Sequence, residues 1–236
     1  MATEPAPTNP LTGKPLGPHW RQLTGMLQRH RITLVLDIGA NIGQYAAALR
    51  ASGYAGRIVS VEPLGAANAE LARAAARDGN WIAAPRAAVG AAPGRLTINV
   101  SASSDMSSAL PFTAEAAKVF DGDRTVAQED VPMITVDALL ADHATPADRI
   151  FLKSDTQGYD LEVLRGAAAS LDRIAGLQVE AALHPTYAGQ PDWRAIVDLL
   201  TPQGFAIHLV VPGYFSKRHG RLMEMDLVFF RDAPAS

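Results

Sequence analysis

The run Leu34-Val35-Leu36-Asp37-Ile38-Gly39-Ala40-Asn41-Ile42-Gly43-Gln44-Tyr45 constrains this chain more than any other stretch. An apolar segment carrying one acid leads into a turn bracketed by two glycines. A helical pattern follows. The order strand, tight turn, helix is the opening unit of a parallel α/β sheet. Gly39 and Gly43 let the backbone turn without strain and let it approach a ligand closely. The bland alternative is an ordinary strand-to-helix turn with Asn41 as a helix cap.

Two ligand classes fit such a turn. A dinucleotide loop reads G-x-G-x-x-G, because its pyrophosphate rests on amides at a helix N-terminus. Here Asn41 replaces the middle glycine, and Gly43 comes one residue early. Asp37, two residues before Gly39, would oppose a pyrophosphate but would suit an ammonium group. S-adenosylmethionine carries an ammonium and no phosphate, so the loop reads as an S-adenosylmethionine loop. Asp37, Gly39, Asn41, Gly43 and Gln44 are its expected cofactor contacts.

The chain has 236 residues, enough for one α/β domain with a sizeable core, and 48% of them are hydrophobic. A formal charge of −3 lacks the basic footprint of a nucleic-acid binder. The absence of cysteine excludes disulfides and thiolate metal sites. No apolar run approaches the ~20 residues that span a bilayer. Residues 1–10 lack a charged and then apolar leader pattern, so a cytoplasmic protein is the expectation.

Five prolines lie within residues 1–18, and this segment is expected to lack regular structure unless it packs on the domain. A single domain is expected over 19–232, with a tail at 233–236. Trp20, Leu23, Met26 and Leu27 predict a helix over 19–30 that covers the first strand or roofs the site. Arg57 to Pro63 predicts a second strand ending in Glu62, 19 residues beyond Gly43. An acid there accepts hydrogen bonds from ribose hydroxyls in many parallel sheets. Trp81 to Ala84 predicts a third strand. The small residues after it, Ala88 among them, offer a surface for adenine. Leu96 to Val100 predicts an extra strand, and the serine-rich run 101–108 a loop, either a plain connection or a lid. Residues 101–132 are the least readable part, with a short helix and a charged stretch expected over 113–130.

Arg149 to Gly166 repeats the informative pattern: a strand runs into Asp155, turns at Gly158 and enters a helix. Gly176 to Ala182 is the next predicted strand, containing Glu180, with His184-Pro185 just beyond. Asp192 is a plausible cap for a helix reaching Leu200. Strands over 205–211 and 225–231 close the pattern. The class is α/β with a mostly parallel sheet.

These residues together resemble the FkbM-type methyltransferases, a branch of the S-adenosylmethionine-dependent methyltransferases. The resemblance rests on Val35 to Gln44, on Val61-Glu62-Pro63, on Lys153 to Gly166 and on Met225 to Phe230, and it covers about residues 33–231. One departure is Asp160, where the family usually has Glu. The resemblance implies a Rossmann-like class I fold, with seven strands in the order 3-2-1-4-5-7-6, strand 7 antiparallel, and helices on both faces. It also implies methylation of hydroxyls, often on sugars or glycosylated natural products.

On that fold Asp155 falls near the cofactor loop, and Glu180 and His184 one strand further out. An alcohol is a weak nucleophile and needs its proton removed or its oxygen polarised during attack. A neutral histidine serves as base near neutral pH, so His184 is the expected base. Asp155 and Glu180 are expected to position the acceptor, directly or through Mg²⁺ held by their oxygens. Each has a bland alternative: a loop histidine before proline, and strand acids paired with neighbouring bases. Tyr187, Tyr214 and Trp193 are candidates to stack on a sugar ring. The basic loop 217–221 is a solvated hairpin or a contact for an anionic or extended acceptor. Competing readings are a nicotinamide-dependent oxidoreductase, disfavoured by Asp37 and Asn41, and a noncatalytic S-adenosylmethionine-binding module. Asp155-Thr156-Gln157-Gly158 lacks the Asn/Asp-Pro-Pro-aromatic run common in DNA N-methyltransferases. The expected partner is a small-molecule or oligosaccharide acceptor.

Overall fold

A computed structural model describes residues 7–119 and 125–231. The strands in chain order are β1 (Leu34–Ile38), β2 (Arg57–Val61), β3 (Trp81–Ala83), β4 (Ala88–Val89), β5 (Gly94–Ser101), β6 (Thr125–Ile134), β7 (Ile150–Ser154), β8 (Ile174–Ala182), β9 (Phe205–Pro212), β10 (Phe215–Ser216), β11 (Arg221–Leu222) and β12 (Glu224–Arg231). The helices are α1 (Pro18–Arg29), α2 (Gln44–Ala51), α3 (Gly65–Ala75), α4 (Ala116–Val119), α5 (Val136–His143), α6 (Asp160–Arg165) and α7 (Trp193–Leu200).

Seven strands form the central sheet in the order β3-β2-β1-β7-β8-β12-β9. β3, β2, β1, β7 and β8 pair in parallel, and β12 runs antiparallel to both β8 and β9. The order differs in its numbering from 3-2-1-4-5-7-6, because five strands outside this sheet, β4, β5, β6, β10 and β11, intervene in the chain. β1 is buried at every position, as a central parallel strand covered on both faces must be.

Alternation along the strands sorts the core into two layers. Leu34, Leu36, Ile38, Leu152, Leu177 and Phe229 meet residues of α5, α6 and α7 on one face. Val35, Ile58, Phe151, Val228 and Phe230 meet α1, α2 and α3 on the other. Asp37, Lys153, Gln178 and Asp226 share the parity of this second set, so polar side chains are carried to the α1–α2 face near the strand ends.

One departure from the sequence expectations concerns the middle of the chain. The short helix expected within 113–130 is α4, but the charged stretch after it holds the first part of β6, a ten-residue strand. β6 pairs antiparallel with β5 and parallel with β4, giving a separate three-stranded sheet. Its exposed, charged face lacks the apolar alternation that marks a strand, and only Val131 is fully buried. Residues 120–124 of that stretch lie outside the described residues. The basic loop 217–221 belongs to the small β10–β11 hairpin, as the hairpin alternative expected.

Of the Pro-rich segment, residues 1–6 lie outside the described residues, as does the tail 233–236. Residues 7–17 pack on the domain. Thr8 bridges Pro15, Leu16 is buried, and Asn9 donates to the carbonyl of Gln44 at 2.8 Å.

Candidate cofactor cavity and acceptor site

Two loops meet at the carboxyl ends of β1 and β7. Gly39 has φ +70°, and a Cβ there would lie 1.9 Å from the carbonyl oxygen of Asp155. Gly43, φ +92°, leads into α2, and its Cβ would lie 2.6 Å from the Trp81 ring. The close approaches that require glycine are thus to the protein's own backbone and core, which locks the two loops together. Between the glycines Asn41 also takes a left-handed φ of 48°.

Lys153 fastens this arrangement from below. It pairs directly across from Asp37 in the β1–β7 register, and its ammonium lies 3.1 Å from Asp37 Oδ1. It also donates to the carbonyls of Ile38 and Gly39. Burial opposes its charge, but Asp37 and Asp155 outweigh that, and it titrates above the ordinary lysine value. Asp37 also accepts from Ser60 Oγ at 2.9 Å, and that hydroxyl accepts from the Trp81 indole N–H. The ammonium that Asp37 is expected to attract is therefore supplied by Lys153. Asp37 is fully buried and does not line the cavity beside the loop.

That first cavity encloses about 670 Å³, its open mouth included. Gly39, Asn41, Gln44, Glu62, Ala88 and Asp155, six of the expected contacts, line it. Glu62 accepts from the Asn41 and Leu64 amides, each at 2.8 Å. Burial nevertheless pushes its carboxyl up to about 7. Leu64, Val89, Leu96 and Ile98 supply apolar wall near Ala88. The serine-rich loop forms the rim through Ser104, Ser107 and Ser108, and Ser104 reaches Asn41 at 3.2 Å. Three carboxylates, Glu62, Asp105 and Asp155, face this space, and no lysine, arginine or histidine does. The side-chain oxygen of Gln44 is buried with no hydrogen-bond partner among the described residues.

Asp155 and Glu180 are brought together as expected, but a residue given no role in the sequence reading stands between them. Gln157 Nε2 donates to Asp155 Oδ1 at 3.0 Å and to Glu180 Oε2 at 3.1 Å. Its carbonyl oxygen accepts from Tyr187 O–H at 2.7 Å, and its φ is 53°. An amide group thus occupies the space a cation would need. Among the described residues no group of three or more His, Cys, Asp or Glu could hold a metal ion. The donor set does not fit the expected Mg²⁺ site. Burial and the neighbouring Asp155, Glu224, Asp160 and Asp226 raise the Glu180 carboxyl well above its ordinary value. Asp160 is buried and accepts from Ser154 Oγ at 2.5 Å and from the Thr156 amide at 3.0 Å. It holds the Asp155–Gly158 turn.

A second cavity opens on the α1–α2 face. Asn9, Lys14, Trp20, Tyr45, Gln178 and Asp226 are among its lining residues, and Gln44 and Asp155 line both cavities. His184 is not among the lining of either. It lines a third cavity with Glu115, Tyr214, His219 and Arg221, against the β10–β11 hairpin. Tyr187 is packed inside, stacked on Phe112, and the Trp193 ring packs against the core beneath Arg194. Of the three aromatic candidates for a sugar platform, Tyr214 lines the third of these cavities, and Tyr187 and Trp193 line none of the three. Trp20, in the helix expected to cover the first strand or roof the site, lines the second cavity beside Tyr45.

The family model of the methyltransferase FkbM domain matches residues 37–207. Among solved structures, the methyltransferase FkbM from Methylobacillus flagellatus KT shares 17% identity and a TM-score of 0.54. That match covers 84% of this chain and 44% of the other, so this chain spans less than half of that protein's length. An O-methyltransferase from Bacillus cereus, in complex with SAH, shares 13% identity and a TM-score of 0.50, over 92% of this chain and 82% of that one. At these identities the likeness is one of fold. No curated protein matches the sequence.

Proposed function

The chain belongs to the FkbM methyltransferase family, and on that premise we propose that it is an S-adenosylmethionine-dependent O-methyltransferase acting on a hydroxyl of a sugar, saccharide or glycosylated metabolite. The observation that carries the cofactor is the lining of the first cavity. Three carboxylates and no basic side chain suit a phosphate-free cation and oppose a dinucleotide. The bound cofactor supplies an electrophilic methyl on a sulfonium. Transfer of that methyl to an acceptor oxygen would leave S-adenosylhomocysteine, so the task of the chain's own residues is to place the hydroxyl and take its proton.

The protein's residues bind and orient. Glu62 meets the ribose hydroxyls with the lone pairs its two backbone amides leave open. Ala88 and its apolar neighbours take the adenine. Gln44 and Asp155 stand where the two cavities meet, which is where the acceptor oxygen must approach. Asp155 receives or polarises the hydroxyl proton. Glu180 acts through Gln157, which ties it to Asp155 and fixes the carboxylate's orientation. Neither His184 nor Mg²⁺ has a part in this reading, given the cavity that His184 lines and the amide between the two carboxylates. Among the described residues no helix is long and apolar enough to cross a membrane.

Calorimetric titration with S-adenosylhomocysteine, with NAD as the control, tests the cofactor. Micromolar binding of the first and none of the second is expected. Binding of NAD alone, or of neither, overturns the reading.

A further inference from the structure

The second cavity has a composition the cofactor does not use. It encloses about 1080 Å³, mouth included, between the sheet and the segment 9–23. Its floor is a hydrogen-bonded row. Tyr45 O–H donates to Gln178 Oε1 at 2.9 Å, and Gln178 in turn holds the Asp226 carboxylate. Asp155 and Gln44 close the row at the cofactor side. Trp20 forms the wall, its ring 5.2 Å from that of Tyr45.

The charges narrow the ligand. Lys153 also borders this space, but Asp37 and two carbonyls already engage its ammonium. What remains toward the cavity carries both signs: the carboxylates of Asp155 and Asp226 on the floor, with Lys14 and His19 on the covering segment. Such a mixed wall suits a neutral ligand whose groups both donate and accept hydrogen bonds, as hydroxyls do. The Trp20 ring offers an apolar face to a flat, mostly C–H surface.

We propose that this cavity is the acceptor subsite, that it takes a neutral polyol of pyranose size, and that Asp226 and Gln178 are its hydroxyl-recognising floor with Trp20 as the stacking wall. The inference rests on the methyl-transfer reading and adds where the acceptor sits and what recognises it. It also accounts for the packing of the N-terminal segment, because Asn9, tied to the carbonyl of Gln44, holds the roof over the cavity. The terminal motif around Asp226 likewise gains a role. Asp226 faces Lys153 from β7 and Asp155 from the turn after it, Gln178 and Glu180 from β8, Tyr45 from α2 and Glu224 from its own strand. Burial, then Asp155, pushes its carboxyl up to about 7, so near neutral pH it both donates and accepts.

The chain has no cysteine, so a Thr12→Cys variant carries one thiol, on an exposed residue at the rim. The probe is a panel of methyl hexopyranosides, observed by saturation-transfer NMR on S-adenosylhomocysteine-loaded protein. Binding by at least one member is expected. It should be abolished once the Thr12→Cys thiol carries a bulky maleimide, and weakened about tenfold or more by Trp20→Ala and by Asp226→Asn. Calorimetry with S-adenosylhomocysteine should give the wild-type affinity in all three proteins. No binding by any member, binding that survives the block, or tighter binding of methylamine than of any glycoside overturns the proposal. Failure of wild-type protein to bind S-adenosylhomocysteine strikes the methyl-transfer reading instead, and the calorimetry reports that separately.

Discussion

The two cavities that meet at Gln44 and Asp155 are built in opposite ways. The first is made largely of strand-end loops, with Gly39 to Gln44 after β1, Glu62 to Leu64 after β2 and Asp155 to Gln157 after β7. The second is assembled from chain ends, with residues 9–23 laid over side chains of β8, β9 and β12. Consecutive residues in a tight turn have few conformations, so a loop site is specified locally. A site spread over distant strands exists only once the sheet has set their register. The contrast matches the roles proposed for them: an invariant cofactor against short motifs, and a selected acceptor against a surface that each sequence can vary.

Gly39→Ala should break both cavities at once and have the largest effect. Its methyl would collide with the Asp155 carbonyl, at a φ that disfavours any side chain. A loss of about 3 kcal/mol or more in urea denaturation is expected, together with loss of S-adenosylhomocysteine binding. A stable, binding-competent variant would show that the two loops are not locked together.

Asp155→Asn separates the cavities at their shared wall. Turnover should fall about thousandfold in a methyl-transfer assay, while affinity for S-adenosylhomocysteine changes by less than about tenfold. Equal loss of both would place Asp155 wholly on the cofactor side. Unchanged turnover would favour a carboxylate elsewhere as the proton acceptor.

Glu62→Gln should touch the first cavity alone, weakening S-adenosylhomocysteine about tenfold. Glu62 titrates at about 7 in the folded protein, above its ordinary 4.5. Its ionised form accepts the ribose hydroxyls, so wild-type affinity should fall as pH drops below about 7. The same shift means that the folded protein holds this proton where the unfolded chain has lost it. Its contribution to stability is therefore present below pH 4.5 and is lost as pH rises to about 7. Calorimetry from pH 5.5 to 8.5 should show the affinity slope in the wild type and a flat profile in Glu62→Gln. A slope that persists in the variant would assign the titration to another group.

His184→Ala should have the smallest effect, within about twofold on turnover, because its side chain lines neither of the two joined cavities. A loss comparable to that of Asp155→Asn, with a changed pH–rate profile, would return the base to His184.

Much of the frame was legible in the chain. Val35 to Gln44, Glu62 at the end of β2 and the run into Asp155 carry a local signal, because an apolar strand, a glycine turn and a helix start follow one another without interruption. The class, the mostly parallel sheet and the residues around the first cavity follow from that continuity. The first part of β6, residues 125–130, was not legible, because its exposed charged face hides the alternation of a strand. Asp37 was read as a ligand contact because sequence gives its charge but not its neighbour. Only the β1–β7 register sets Lys153 opposite it.

The same limit governs the chemistry. Sequence placed Asp155, Glu180 and His184 near adjacent strand ends and could rank them only by residue type. The tertiary structure put Gln157 between the two acids, sent His184 to the β10–β11 side, and turned Asp226 and Trp20 toward one cavity. Those choices depend on which way a side chain leaves the sheet and what the N-terminal segment covers. Local sequence fixes the turn that holds a ligand, because a few dihedrals decide it; long-range pairing fixes which side chains surround that ligand, because their meeting depends on the whole sheet.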